Sequence, residues 1–127
     1  MVREIIHTDE APAAIGPYSQ GVKVRGTLFY FSGAIPLTAS GELVSGDVKA
    51  QAEQVCKNIA AMLAQAGLTP ASIVKTTIFL SSMDHFAAVN EVYGAFVGEN
   101  PPARSTVAVA GLPRNVDVEI EVTAVGE

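Results

Sequence analysis

The chain has 127 residues, of which 49% are hydrophobic and 17% charged; that is the length of one domain and enough apolar material for a real core, which excludes a disordered or polar-tract protein. Eight basic against thirteen acidic residues give a net charge of -5, the wrong sign for counterion release from phosphates, so nucleic acid is not an expected partner. A single cysteine, Cys56, excludes an intramolecular disulfide, and with only His7 and His85 beside it there is no metal-ligand cluster at a recognisable spacing.

The first ten residues carry acids and lack a long apolar stretch, and no later run approaches the ~20 apolar residues needed to cross a bilayer. A soluble, unexported, cytoplasmic protein without membrane contact is expected. Glu4 to Thr8 reads as a first strand, and Ala11 to Pro17 as a turn-rich loop whose prolines and glycine forbid regular structure. Gln20 to Gly26 and Thr27 to Ser32 read as two strands joined at Arg25-Gly26, the pattern of a hairpin. Pro36 to Gly46 is loop.

From Asp47 to Ala66 the apolar positions Val48, Ala52, Val55, Cys56, Ile59, Leu63 and Ala66 recur at spacings of three and four, which predicts an amphipathic helix stopped by Gly67 and Pro70. Ile73 to Leu80 is rich in β-branched and aromatic residues and reads as a strand. Ser81 or Ser82, with Asp84, then caps a second helix that runs to about Val97 with the stripe Phe86, Val89, Tyr93 and Phe96. Asn100-Pro101-Pro102 precedes two last strands, the final one alternating Val116, Val118, Ile120 and Val122 with polar residues. The order predicts an α+β domain spanning 1–127, with two helices on one face of a mixed sheet. Its other face and its low charge point to cover by sibling subunits.

The residues that stand out chemically lie at the loops and in the last two strands. Arg104 opens a strand among the small residues Ser105, Ala108 and Ala110, and suits either a structural ion pair with a strand glutamate or a ligand carboxylate, which its planar fork matches bidentately. Glu119 lies beside Asp117 and Glu121 at period two, a pattern of solvation as much as of catalysis; read as neighbouring strands, these segments would set an arginine beside a carboxylate. Tyr18 on its loop could pack or wall a pocket, and Asn90 on the second helix could cap, meet a subunit or reach a cleft. Gly33 lets a backbone amide approach a ligand closely. Cys56 on the apolar stripe reads as a small buried hydrophobe. No nucleophile elbow, phosphate-cradling glycine loop or metal motif is present, so any catalysis is expected to need no cofactor.

Ile15-Gly16-Pro17-Tyr18-Ser19-Gln20, Ser32-Gly33-Ala34-Ile35-Pro36, Pro102-Ala103-Arg104-Ser105-Thr106-Val107 and Val118-Glu119-Ile120-Glu121-Val122 together resemble the Rid family of enamine/imine deaminases, also called the YjgF or UK114 family, over essentially the whole chain. The resemblance implies a chorismate-mutase-like fold with a six-stranded sheet, assembled as a homotrimer with small-molecule sites in clefts between subunits. It implies hydrolysis of 2-iminobutanoate or 2-iminopropanoate to 2-oxo acids and ammonia. Arg104 would grip the carboxylate and Glu119 position water; Tyr18 and Ser32 would line the pocket, and the amides of Gly33 and Thr106 would orient the acid group. The alternatives are a non-catalytic 2-oxo-acid binding protein of the same fold and a family deaminase dedicated to another substrate. Thr106 stands where many members have cysteine, Ala34 where glutamine is frequent, and the loop before Arg104 is short, so the pocket wall is expected to differ.

Overall fold

The computed structural model describes residues 2–127; Met1, the start of the expected domain, lies outside them. Along the chain run β1 (Val2–Ile6), β2 (Gly21–Arg25), β3 (Thr27–Tyr30), α1 (Val48–Gln65), β4 (Ile73–Leu80), α2 (Phe86–Val97), β5 (Ala103–Ala108) and β6 (Val118–Gly126), with short 3-10 turns at Pro70–Ser72, Met83–His85 and Pro113–Asn115. The predicted order of elements holds, with β1 two residues earlier than expected.

Helix α1 forms where its stripe and its ends agree. The Asp47 carboxylate accepts the Ala50 amide at 2.9 Å, which satisfies one of the amides left without an intrahelical partner at the start. At the far end Gly67, at φ 77, lets the Gly67 amide reach the Ala64 carbonyl and the Leu68 amide the Leu63 carbonyl, the paired bonds of a Schellman turn. Between these caps Ala52, Val55, Ile59 and Leu63 are at most 1% exposed. Helix α2 contributes Val89, Tyr93 and Val97 to the same core. The Ser82 hydroxyl accepts the Asp84 amide at 3.1 Å, as a cap before the turn that leads into α2.

The main sheet has the strand order β3-β6-β4-β5, with β4 and β5 parallel and the other pairs antiparallel. In its centre Thr76, Ile78 and Leu80 pair with Val122, Ile120 and Val118. All six are at most 4% exposed, beneath α1 and α2. Thr77 and Phe79 alternate onto the other side, where they pair with Glu121 and Glu119 and are only half-buried. The prediction that one side alone of this sheet is covered by helices is met.

Two expectations fail. β5 and β6 are not neighbours, because β4 lies between them. Nor do β2 and β3 form a hairpin: β2 pairs only with β1, in a separate two-stranded sheet, while β3 pairs with β6, so the expected six-stranded sheet is divided into two and four. The cause is local. At Gly26, with φ 149, the chain passes from one sheet to the other instead of reversing, and a Cβ there would collide with the Gly126 carbonyl oxygen. The root of the β1–β2 hairpin is tied down elsewhere. The Ser19 amide donates to the Pro102 carbonyl at 3.1 Å and its hydroxyl to the Pro101 carbonyl at 2.5 Å. Arg3 donates to the Ile73 carbonyl at 3.0 Å through Nη2 and at 3.3 Å through Nε.

Two substitutions separate local from tertiary stabilisation in α1. Asp47→Ala is expected to cost about 1 kcal/mol through the lost cap, whereas Leu63→Ala should cost about 2–5 kcal/mol through the cavity it leaves. Urea unfolding followed by circular dichroism checks both, and equal costs would contradict this division.

Candidate functional site

Arg104 sits half-buried near the start of β5, opposite Thr76 of β4, so its side chain lies on the helix-covered side of the sheet. Helix α2 meets it with three residues at helical spacing, Phe86, Asn90 and Tyr93. The guanidinium donates from Nη1 to Asn90 Oδ1 at 2.7 Å. Its carbon stands 5.4 Å from the ring centre of Tyr93, 5.7 Å from that of Phe86 and 5.4 Å from that of Tyr18, within range of the attraction between a cation and an aromatic face. The loop bearing Tyr18 is held in place by the Ser19 bonds described above and by a turn in which the Tyr18 amide donates to the Gly16 carbonyl at 2.8 Å. A Cβ at Gly16 would make only ordinary contacts, 3.6 Å from the Tyr18 ring and 3.9 Å from Arg104 Nη2, so the space there does not require glycine.

No carboxylate pairs with Arg104 among the described residues; the pairs found there include Lys49–Glu91 and the histidine–carboxylate contacts His7–Asp9 and His85–Asp117, which are ionic only when the ring is protonated. The structural ion pair with a strand glutamate is therefore not what the arginine makes. Burial lowers the Arg104 pKa from its ordinary value, with the neighbouring phenols Tyr93 and Tyr18 opposing the shift. The Tyr93 hydroxyl bonds Thr76 Oγ1 at 2.7 Å. Burial, partly offset by that bond and by the charge of Arg104, pushes the Tyr93 phenol up to about 12. A neutral ring thus faces the guanidinium at neutral pH.

Glu119 occupies the opposite side of the sheet. It pairs with Phe79, three residues along β4 from the partner of Arg104, and an odd separation along a strand reverses the face. Its carboxylate lies against the backbone of Gly33: a Cβ at that glycine would collide with Oε2 and stand 3.0 Å from Cδ. The Ala34–Ile120 bridge fixes this approach, with backbone bonds of 2.8 and 3.1 Å. Ser32 and Gly33 are exposed and line a cavity of about 370 Å³ with Ile35, Asn58 and Met62 among its walls.

The structure therefore assembles two groups. Tyr18, Asn90 and Arg104 come together, as do Ser32, Gly33 and Glu119, but one copy does not bring the first group to the second. Thr106 shares the face of Arg104, two residues further along β5, with its Oγ1 buried and without a hydrogen-bond partner. Asp117 lies before β6 and is committed structurally: it accepts from Gln51 Nε2 at 3.0 Å and from Ser81 Oγ at 2.8 Å. Cys56 is buried, and burial reinforced by the charge of Glu53 raises its thiol pKa to about 12, which fits a core residue and not a nucleophile. Sequence reasoning missed the roles of Phe86 and Tyr93 as neighbours of the arginine. It assigned them to the core stripe, although their spacing from Asn90 already set all three on one helical face.

The contact between Gly33 and Glu119 carries its own test. Gly33→Ala should destabilise the fold by about 1–3 kcal/mol through overpacking, and Glu119→Ala in the same chain should remove most of that penalty. Thermal unfolding of the two single variants and the double variant reads the coupling; additive effects would show that the two residues do not touch.

Residues 8–126 match the protein family described as Endoribonuclease L-PSP. Protein DfrA of Myxococcus xanthus is 53% identical over 127 residues, covering 98% of this chain and 97% of its own. The 2-iminobutanoate/2-iminopropanoate deaminase of Mus musculus is 46% identical over 126 residues, covering 98% of this chain and 93% of its own. Among solved structures, the Rid-family protein YyfB of Yersinia pestis superposes with a TM-score of 0.91 at 32% identity over 99% of this chain and 100% of that one. E. coli TdcF with bound serine superposes with a TM-score of 0.75 at 43% identity over 98% of this chain and 99% of that one. With its motifs in place and these likenesses running nearly from end to end, the chain belongs to the Rid family, known also by the names YjgF and RutC.

Proposed function

We propose that the protein is a cofactor-free deaminase that hydrolyses small 2-enamine and 2-imino acids, such as 2-iminobutanoate and 2-iminopropanoate, to 2-oxo acids and ammonia in the cytoplasm. The observation that carries this reading is Arg104, a half-buried guanidinium with three aromatic neighbours, one amide oxygen and no carboxylate among the described residues. Such a group suits a small carboxylic acid. The fork binds both oxygens, and the surrounding rings exclude the water that would otherwise weaken the pair. The deaminase name of the mouse relative and the serine bound to TdcF support a small amino-acid-like ligand.

In the proposed chemistry Arg104 holds the substrate carboxylate, Asn90 holds the arginine, and Tyr18 forms a wall. The backbone amides of Gly33 and Thr106 orient the acid group, and Ser32 lines the pocket. Glu119 aligns a water molecule and takes its proton as the oxygen attacks the protonated imine carbon. The resulting tetrahedral carbon carries hydroxyl and amine; Glu119 returns the proton to the nitrogen, and the carbon collapses to the ketone as the Glu119 carboxylate takes the hydroxyl proton and ammonia leaves, the proton passing finally to ammonia or solvent. Because Arg104 and Glu119 face opposite sides of one sheet, a site that uses both takes them from two copies. This agrees with a homotrimer whose sites lie in the clefts between subunits. The endoribonuclease label of the family is the weaker reading for this chain, since a net charge of -5 supplies no field that gathers phosphates.

Imine generated in solution by an amino acid oxidase and trapped with semicarbazide gives the direct test. Wild type should accelerate loss of trappable 2-iminobutanoate. Arg104→Ala should lower kcat/KM by about 10- to 150-fold for each charge-assisted bond lost. Glu119→Gln should lower kcat by about 100- to 10,000-fold with binding retained. Undiminished turnover by Arg104→Ala would refute the mechanism, and Arg104-dependent binding of 2-oxobutanoate without turnover would make the chain a non-catalytic sensor.

A further inference from the structure

Two hydroxyls meet inside an apolar core. Thr76 of β4 and Tyr93 of α2 are each 1% exposed, and their oxygens stand 2.7 Å apart. Tyr93 belongs to the core cluster with Ile78, Val89 and Val122, and Thr76 pairs with that same Val122 across the sheet. Burial alone does not ask for these hydroxyls. Valine and phenylalanine have nearly the same shapes, and replacing both members of a buried hydrogen-bonded pair by apolar groups of the same shape is close to neutral for stability. What the bond adds is direction. A phenylalanine on α2 would be held at its Cβ alone, whereas Tyr93 is held at its Cβ by the helix and at its hydroxyl by the strand, so the tilt of its ring is fixed.

That ring faces Arg104, whose guanidinium carbon lies 5.4 Å from its centre. Thr76 is also the residue that pairs with Arg104 across the β4–β5 ladder. The links therefore close on themselves: the backbone of Arg104 to Thr76, the hydroxyl of Thr76 to Tyr93, and the ring of Tyr93 to the guanidinium of Arg104. Of the three rings around that group, Tyr18 and Phe86 are half-buried and Tyr93 is buried. The bond from Nη1 to Asn90 fixes one point of the guanidinium and leaves rotation about that point. Contact with a ring of fixed tilt removes the rotation. We propose that Tyr93 and Thr76 are positioning residues for the carboxylate-binding arginine: their hydroxyl bond sets the ring that aims the Arg104 fork, and with it the affinity for the acid group of the substrate. This inference rests on the reading of Arg104 as the anchor of a small carboxylic acid.

Calorimetric titration with 2-oxobutanoate and thermal unfolding, applied to the same variants, separate positioning from stability. Tyr93→Phe and Thr76→Val each strand one buried hydroxyl and should lower Tm by about 3–15 °C. The double variant strands neither and should return to within about 3 °C of wild type. Its affinity should not return: the dissociation constant should stay about 2- to 30-fold above wild type, the value of one contact between a cation and an aromatic face. Thr76→Ser keeps the hydroxyl and loses only a methyl group, so it should bind 2-oxobutanoate like wild type while being less stable. A double variant that regains both stability and affinity would show the pair to be structural and overturn the proposal. If the double variant does not fold, the single variants decide: Thr76→Ser binding as weakly as Tyr93→Phe would overturn it equally. Wild-type binding that is absent, or that survives Arg104→Ala, would overturn the reading of Arg104 and this inference with it. Arg104-dependent binding that the double variant keeps in full would overturn this inference alone.

Discussion

The central strand β4 controls what this chain can do alone. Its alternation sends Thr76, Ile78 and Leu80 toward the helices and Thr77 and Phe79 away from them, and it pairs with β5 on one side and β6 on the other. Arg104 inherits the face of Thr76 and Glu119 the face of Phe79. A cation and an acid that look like neighbours along the chain are thus set back to back. Shifting either ladder by one residue would bring them to the same face only by turning a row of buried valines and isoleucines into water, at roughly 1.5–3 kcal/mol for each. The separation is therefore as firm as the core itself, and it makes assembly a condition of any chemistry that needs both groups.

The surroundings of Arg104 are unusual for a charge without a counterion among the described residues. Effective penalties for burying an ion run to several kcal/mol. Contacts between a cation and an aromatic face return about 0.5–2 kcal/mol each, and the bond to Asn90 about 1.5–3 kcal/mol. Those contributions hold the group in place without neutralising it. The Thr76–Tyr93 bond fixes one of the rings between sheet and helix, so the pocket is preorganised on regular elements and only Tyr18 arrives on a loop.

Much of this was legible from the residues. The stripes of α1 and α2, the capping serine at Ser82, the stop at Gly67 and the alternation in β6 are local patterns, and local patterns survive translation into structure. Tyr18 and Arg104 stood out through motifs and Asn90 as a polar residue on an apolar helical stripe, but that these three meet apart from Ser32, Gly33 and Glu119 was not written in the sequence. What escaped was long-range: a sequence does not state that β4 enters between β5 and β6, because nothing in either strand names its neighbour. Arg25-Gly26 misled for a related reason. The dipeptide permits a tight reversal, but glycine equally permits the extended positive-φ crossing that the carbonyl of Gly126 imposes. Phe86 and Tyr93 were hidden by their apolar character, since an aromatic beside a guanidinium and one in a core have the same hydropathy.

The position of β6 has a consequence for biosynthesis. It comes last among the elements yet lies between β3 and β4, which are made long before it. As the chain leaves the ribosome, the two helices and β4 can gather early, but the sheet has no middle until residues near 126 emerge. Until then β3 and β4 present apolar, hydrogen-bond-hungry edges to one another and to every other nascent chain, the condition under which chaperones are needed most. Closure of the main sheet thus waits for β6, and a ribosome stalled before that strand would leave β3 cut off from the β4–β5 pair.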